Sequence, residues 1–219
     1  MNLRFDCARC RVKRCLEGRM ESLPENCPMR LLPDLASLLA KKYLEEENGR
    51  LFRAAASVER EGYLKWPRLR EILELARRLG VRRVGIAFCI GLSEEAEMVS
   101  KVFEEWGFQT VSVCCKCGAV DKAEAGLGRE VRFREDFDPA CNPILQAELL
   151  NRAETELNVL LGLCVGHDAL FYKYSKAPVT TLAAKDRVTG HNPLAALHTA
   201  YLRRLLSPHR SGEASPQAP

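Results

Sequence analysis

The chain has 219 residues, of which 47% are hydrophobic and 28% charged, the composition of a folded globular protein, and this excludes disorder along its whole length. Its formal net charge of +4 is too small an excess to argue for nucleic-acid binding. The opening "MNLRFDCARCRVKRC" lacks an apolar leader core, and no run approaches the roughly 18 apolar residues that a membrane span needs. A cytoplasmic protein with no membrane partner is expected.

Residues 1–32 hold four cysteines and little apolar periodicity, which predicts a small Cys-rich metal-binding module. A helical segment follows over 33–80. Between Pro33 and Tyr63 the pattern predicts two helices broken near Asn48 and Gly49, with Leu35, Leu38, Leu39 and Lys42 at helical spacing. Pro67 opens the next helix, whose stripe is Leu69, Ile72, Leu73, Ala76 and Leu79, and Gly80 ends it.

An α/β domain is predicted over 81–206. It starts with the strand "VRRVGIAFC", continues through a helix capped by Ser93 with Met98 and Trp106 in its core, and reaches a second strand, "FQTVSVC". Residues 118–140 read as a surface excursion. The helix "NPILQAELLNRAET", the strand "NVLLGLC", the short helix "DALFYKYS", the strand "PVTTLAA" and a closing helix "NPLAALHTAYLRRLL" complete it. The small and polar residues of 207–219 predict a disordered tail. Strands alternating with helices imply parallel pairing through right-handed crossovers. The expected fold is therefore a three-layer, Rossmann-like α/β domain with a mainly parallel sheet, a Cys-rich N-terminal module and a helical linker.

Ten cysteines in a reducing compartment point to ligation or redox chemistry rather than disulfides. Cys7, Cys10, Cys15 and Cys27 form a C-x2-C-x4-C-x11-C array, whose four thiolates suit one tetrahedral zinc or one [4Fe-4S] cluster. Cys27-Pro28 matches the Cys-Pro ending of bacterial ferredoxin runs, whereas zinc is the usual choice for a small structural module. Arg9, Arg11, Lys13 and Arg14 interleave the ligands and offset their charge, with no recognition helix beside them.

The remaining cysteines fall at the carboxyl ends of the predicted strands: Cys89 after the first, Cys114 and Cys115 after the second, Cys164 after the third. Ligands of open parallel sheets bind along that edge. Cys141, just before an Asn142-Pro143 helix start, lies where a helix amino terminus favours a thiolate. His167 and Asp168 follow Cys164 as ligand, second-layer or proton-transfer groups. Lys185, Asp186 and His191 reach the same edge, where a cation can hold an anionic substrate group, or the three simply form a solvated turn. Each cysteine alone also fits an inert core position. His198 and His209 stay outside the site.

"CARC", "ENCP", "GIAFCIGLSEEA", "VSVCCKCG", "CNPILQAELLN", "GLCVGHDALFYKYSKAPVTTLAAKDR" and "GHNPLAAL" resemble the prokaryotic family catalogued as domain of unknown function 1847, described as predicted metal-binding proteins. The resemblance runs to about Leu205. It implies metal binding with the cysteines as ligands and names no reaction.

Three readings follow. The first is a metal-binding protein with zinc or [4Fe-4S] at Cys7, Cys10, Cys15 and Cys27, and a second metal, cluster or thiol site at Cys89, Cys114, Cys115, Cys141 and Cys164, engaged in redox or sulfur-handling chemistry with a redox or small-molecule partner. The second is a thiol enzyme with Cys141 or Cys164 as nucleophile. The third is a zinc-dependent regulatory or nucleic-acid-binding module.

Overall fold

Lys65 and Trp66 mark the division between two units of the computed structural model, Met1–Lys65 and Trp66–Pro219. The structure describes residues 4–208; most of the expected tail, His209 included, lies outside the described residues.

The first unit opens with two 3-10 turns, Cys7–Arg9 and Arg14–Glu17, followed by the single turn α1 (Pro28–Leu31), α2 (Leu35–Ala40) and α3 (Glu46–Gly62). The break expected near Asn48 and Gly49 falls earlier, at Glu45, whose extended backbone (ψ 143°) ends a 3-10 turn over Lys41–Leu44. Helix α3 runs straight through Gly49. Glycine is needed there for closeness rather than for a turn, because a Cβ would lie 2.5 Å from the Tyr43 carbonyl oxygen. The Tyr43 ring stacks on Phe52 at 4.2 Å, which fixes the 3-10 turn against α3.

The second unit runs α4 (Arg68–Arg78), β1 (Arg83–Phe88), α5 (Ser93–Glu105), β2 (Gln109–Cys114), α6 (Pro143–Arg152), β3 (Leu157–Leu161), α7 (His167–Tyr174), β4 (Val179–Ala183), then α8 (Ala195–His198) and α9 (Ala200–Arg204). Four strands pair in parallel in the order β2-β1-β3-β4. Period-two alternation sorts the side chains of this buried sheet. Val84, Ile86, Leu157 and Val159 pack with Ile72, Ala76, Val99 and Phe103 of α4 and α5. Ala87, Val113 and Leu160 pack with Ala147, Leu150 and Phe171 of α6 and α7. The three-layer α/β/α reading is thereby established.

Gly85 lets α6 approach closely: a Cβ there would collide with Asn158 Oδ1 and come within 2.9 Å of Leu150 Cδ1. Asn158 is fully buried yet satisfied, accepting from Thr155 Oγ1 (2.8 Å) and donating to Ser175 Oγ (2.9 Å).

Several details differ from the sequence pattern. The hydroxyl of Ser93 donates to the Ile90 carbonyl (2.7 Å) instead of capping α5. Met98 is 58% exposed, since Ala96, Val99 and Phe103 already form the inner stripe, whereas Trp106 packs on the core as expected. The closing helix is split at Thr199, whose extended backbone (ψ 121°) separates α8 from α9. Strand β3 stops at Leu161, three residues before Cys164, because Gly162 adopts φ +66°.

Candidate functional site

Three backbone hydrogen bonds beyond the strand ends assemble the edge of the sheet. Cys89 N–H donates to the Leu161 carbonyl (3.1 Å), Cys115 N–H to Phe88 (2.9 Å) and Asn142 N–H to Cys115 (2.8 Å). The last brings Cys141 back beside β2 after the long excursion. That excursion is itself pinned by two buried acids: Asp121 Oδ2 accepts from Asp138 N–H (2.7 Å), and Asp138 Oδ2 pairs with Lys122 Nζ (2.9 Å). Asn142 Oδ1 accepts from Leu145 N–H (3.0 Å), the N-cap read from the Asn-Pro pair.

Cys115 is the hub of the thiols. Its buried Sγ lies 3.9 Å from Cys141 Sγ and accepts from Ile90 N–H (3.4 Å). A hydrogen bond from Cys115 pulls the Cys141 thiol down to about 5, against the opposing effect of burial and with help from the Lys116 ammonium and from His167. Cys89, on the other flank, is lowered to about 4 by its own bond with Cys115, by the Gly91 backbone and by Lys185, again against burial. The Cys115 thiol is correspondingly raised, because bonds to Cys141 and Cys89 and its burial all favour the proton. Cys115 has one thiol proton to donate, so at any moment it stabilises the anion of either Cys89 or Cys141.

Accessibility separates their roles. Cys89 and Cys115 are buried, whereas Cys141 and Cys164 are half-buried. The Cys164 thiol is raised by burial and by the charges of Cys89 and Cys141, with Lys185 and Arg187 acting the other way. Cys114 packs against the same cluster, but its Sγ accepts from Lys116 N–H (3.4 Å); burial raises the Cys117 thiol, with Cys114 adding to it. His167 Nδ1 is buried with no partner. Asp168 Oδ1 accepts from Gly166 and Ala169 N–H (2.9 and 2.8 Å), which makes it a turn residue. Asp186 and His191 are likewise spent on their own turn, His191 Nδ1 accepting from Asp186 N–H (3.0 Å).

Sequence reasoning passed over three residues. Lys116 supports Cys141, and Arg187 stands near Cys164. Gln146, fully buried, donates to the Phe88 and Val113 carbonyls (3.2 and 2.7 Å) and clamps the ends of β1 and β2. A glutamine inside the apolar face of "PILQAELL" was the available signal for the third.

In the first unit, Cys7, Cys10, Cys15 and Cys27 line one cavity of about 130 Å³ together with Val12, Leu23 and Met29. Cys10 N–H donates to the Cys7 carbonyl (3.2 Å), closing the tight C-x2-C turn, and Lys13 at φ +47° redirects the chain towards Cys15. All four are free thiols. Their donor chemistry and shared cavity suit a thiolate-bound metal. As placed, no three His, Cys, Asp or Glu side chains among the described residues form a group able to hold a metal ion.

The family described as Protein of unknown function (DUF1847) matches residues 27–182. An uncharacterized protein of Methanocaldococcus jannaschii is 40% identical over 201 residues, covering 91% of this chain and 97% of its own. The chain belongs to this family. The match takes in Cys27 and every cysteine at the sheet edge. No helix among the described residues is long and apolar enough to cross a membrane.

Proposed function

We propose that this member of the DUF1847 family is a metal-binding thiol protein of the cytoplasm. Its sheet-edge cysteines carry out redox or sulfur-handling chemistry, and Cys7, Cys10, Cys15 and Cys27 hold zinc or a [4Fe-4S] cluster. The observation that carries the reading is the Cys115–Cys141 pair, an accessible thiol 3.9 Å from a buried one. Cys141 is the nucleophile, favoured by Lys116 and by its place before α6; Cys115 is the resolving thiol. His167 lies close enough to act on Cys141, and its buried Nδ1 has no hydrogen-bond partner among the described residues. A metal at the N-terminal cysteines would supply either a structural knot or an electron-transfer centre.

The test is anaerobic purification with metal and acid-labile sulfide analysis, combined with mapping of alkylation rates in the metal-loaded protein. One cysteine, Cys141, is expected to label far ahead of the rest, and Cys10→Ser/Cys27→Ser to lose the metal. Uniformly slow labelling would sink the thiol reading; metal retained in the double variant would sink the N-terminal site.

The same separation favours one second reading. Two thiolates on a tetrahedral zinc, with bonds of about 2.3 Å, stand about 3.8 Å apart, so Cys115 and Cys141 also match one edge of a zinc site. Loss of one zinc equivalent in Cys115→Ala, with the N-terminal cysteines intact, would decide for it.

A further inference from the structure

The chain crosses from β1 towards β2 and from β3 towards β4 in opposite directions, so the switch in strand order lies between β1 and β3. The two loops leaving those strands carry glycines where the loop after β4 reaches over them. A Cβ on Gly91 would sit 3.2 Å from Lys185 Nζ and 3.4 Å from an Arg187 terminal nitrogen. A Cβ on Gly162 would collide with Leu92 Cδ1 and lie 3.6 Å from Lys185 Cδ. At Gly91 both cations lie against bare backbone, whereas at Gly162 the close neighbour is Leu92.

Lys185 acts on the Cys89 thiol, whereas Arg187 stands over the Gly91 backbone. Among the described residues neither forms an ion pair with a carboxylate, and the intervening Asp186 uses its carboxylate on Val188 and Thr189 N–H (3.0 and 3.2 Å). Arg187, with no carboxylate partner among the described residues, leaves a positive charge that an arriving anion would meet. Their charges act on Cys164, which also feels Cys89 and Cys141. Ile90, next to Gly91, donates its N–H to Cys115 Sγ (3.4 Å), so the loop beneath the cations also borders the Cys115–Cys141 pair.

We propose that Lys185 and Arg187, together with the Gly91 backbone, form an anion subsite that seats the carboxylate of a small disulfide and presents its sulfur to Cys141. This rests on the thiol reading above and names its substrate class. In the reaction Cys141 sulfur attacks the nearer substrate sulfur, the substrate S–S bond breaks, and the first thiol leaves. Cys115 then attacks Cys141 sulfur, forming the Cys115–Cys141 disulfide and expelling the second thiol. Cys141 reacts as the thiolate, so one product takes its proton from solvent and the other takes the proton that Cys115 gives up; one disulfide is reduced as two cysteines are oxidised.

The test compares two chromogenic disulfides on the full-length, metal-loaded protein: dithiobis(nitrobenzoate), which carries carboxylates, and dithiodipyridine, which is uncharged. The rate of mixed-disulfide formation at Cys141 is read for each by peptide mapping. The anionic-to-neutral rate ratio is expected to fall at least about tenfold in Lys185→Gln/Arg187→Gln and to fall with added salt in the wild type. Gly91→Ala, which leaves every charge in place, should lower the ratio in the same direction by crowding the cradle. A ratio unchanged by both variants and by salt overturns the subsite while Cys141 still reacts fast with both reagents. Slow reaction of Cys141 with both reagents overturns the thiol reading itself, and the subsite with it.

Discussion

Cys115 and Cys141 are 26 residues apart in the chain, and their sulfurs are 3.9 Å apart in space. The single backbone bond from Asn142 N–H to the Cys115 carbonyl makes that proximity. The buried thiol keeps its proton and the accessible one gives it up, the division of labour that thiol exchange needs.

The first prediction concerns that ionisation. With Cys141 lowered to about 5, chiefly by the Cys115 bond, its alkylation rate should be flat across neutrality and decline as the pH falls through that value. An ordinary thiol, near about 8.5, would give a rate still climbing at neutrality. Cys115→Ala should move the profile towards the ordinary one. A profile for the wild type that rises steadily to alkaline pH would refute the assignment.

Mild oxidation gives the second. A disulfide has its sulfurs about 2.05 Å apart, so Cys115 and Cys141 close the remaining gap by side-chain movement of roughly 2 Å. Two thiols should disappear together, and peptide mapping should find Cys115 joined to Cys141. Recovery of a Cys89–Cys115 bridge instead would transfer the nucleophile's role to Cys89.

The parallel sheet and the gathering of cysteines at its carboxyl edge were legible because both follow from local pattern: alternating helices and strands, and cysteines after the first three strands. The Asn142 cap was equally local. Long-range closeness was not legible. Nothing in "VCCKC" distinguishes Cys115, the hub, from Cys114, because the distinction is made by Cys141, 26 residues further along the chain. Arg187 carried no signal in the sequence, because its place beside Gly91 is set by the fold. Asp186 and His191 offered chemistry on paper, but their turn uses them for its own backbone, a competition that spacing does not reveal.

A third prediction tests the packing beneath the site. Gly85→Ala would drive a methyl group into Asn158 and Leu150, on the strand whose end carries Cys89. Overpacking of this kind costs roughly 1–3 kcal/mol. Denaturant unfolding should show a lowered midpoint with an unchanged slope; an unchanged midpoint would mean that α6 can back away freely.

The fourth lies on the opposite face of the sheet. Glu74 of α4 is 4% exposed and is held by Arg70, Arg77 and Arg78 at 2.7, 2.8 and 2.7 Å. Burial pushes its carboxyl up, but the bonds from Arg77 and Arg70 and the charges of Arg77 and Arg78 outweigh this and leave it below the usual range. A carboxyl depressed in the folded state stabilises the fold fully above its unfolded value, about 4.3, and that contribution is lost as the pH falls through the folded value. Glu74→Gln should therefore cost about 1.5–3 kcal/mol at neutral pH, the range for hydrogen bonds to charged groups. The stability curves of variant and wild type should converge on acidification, when the wild-type carboxyl takes up its proton. Curves that stay parallel down to strongly acidic pH would show that Glu74 acts through shape rather than charge.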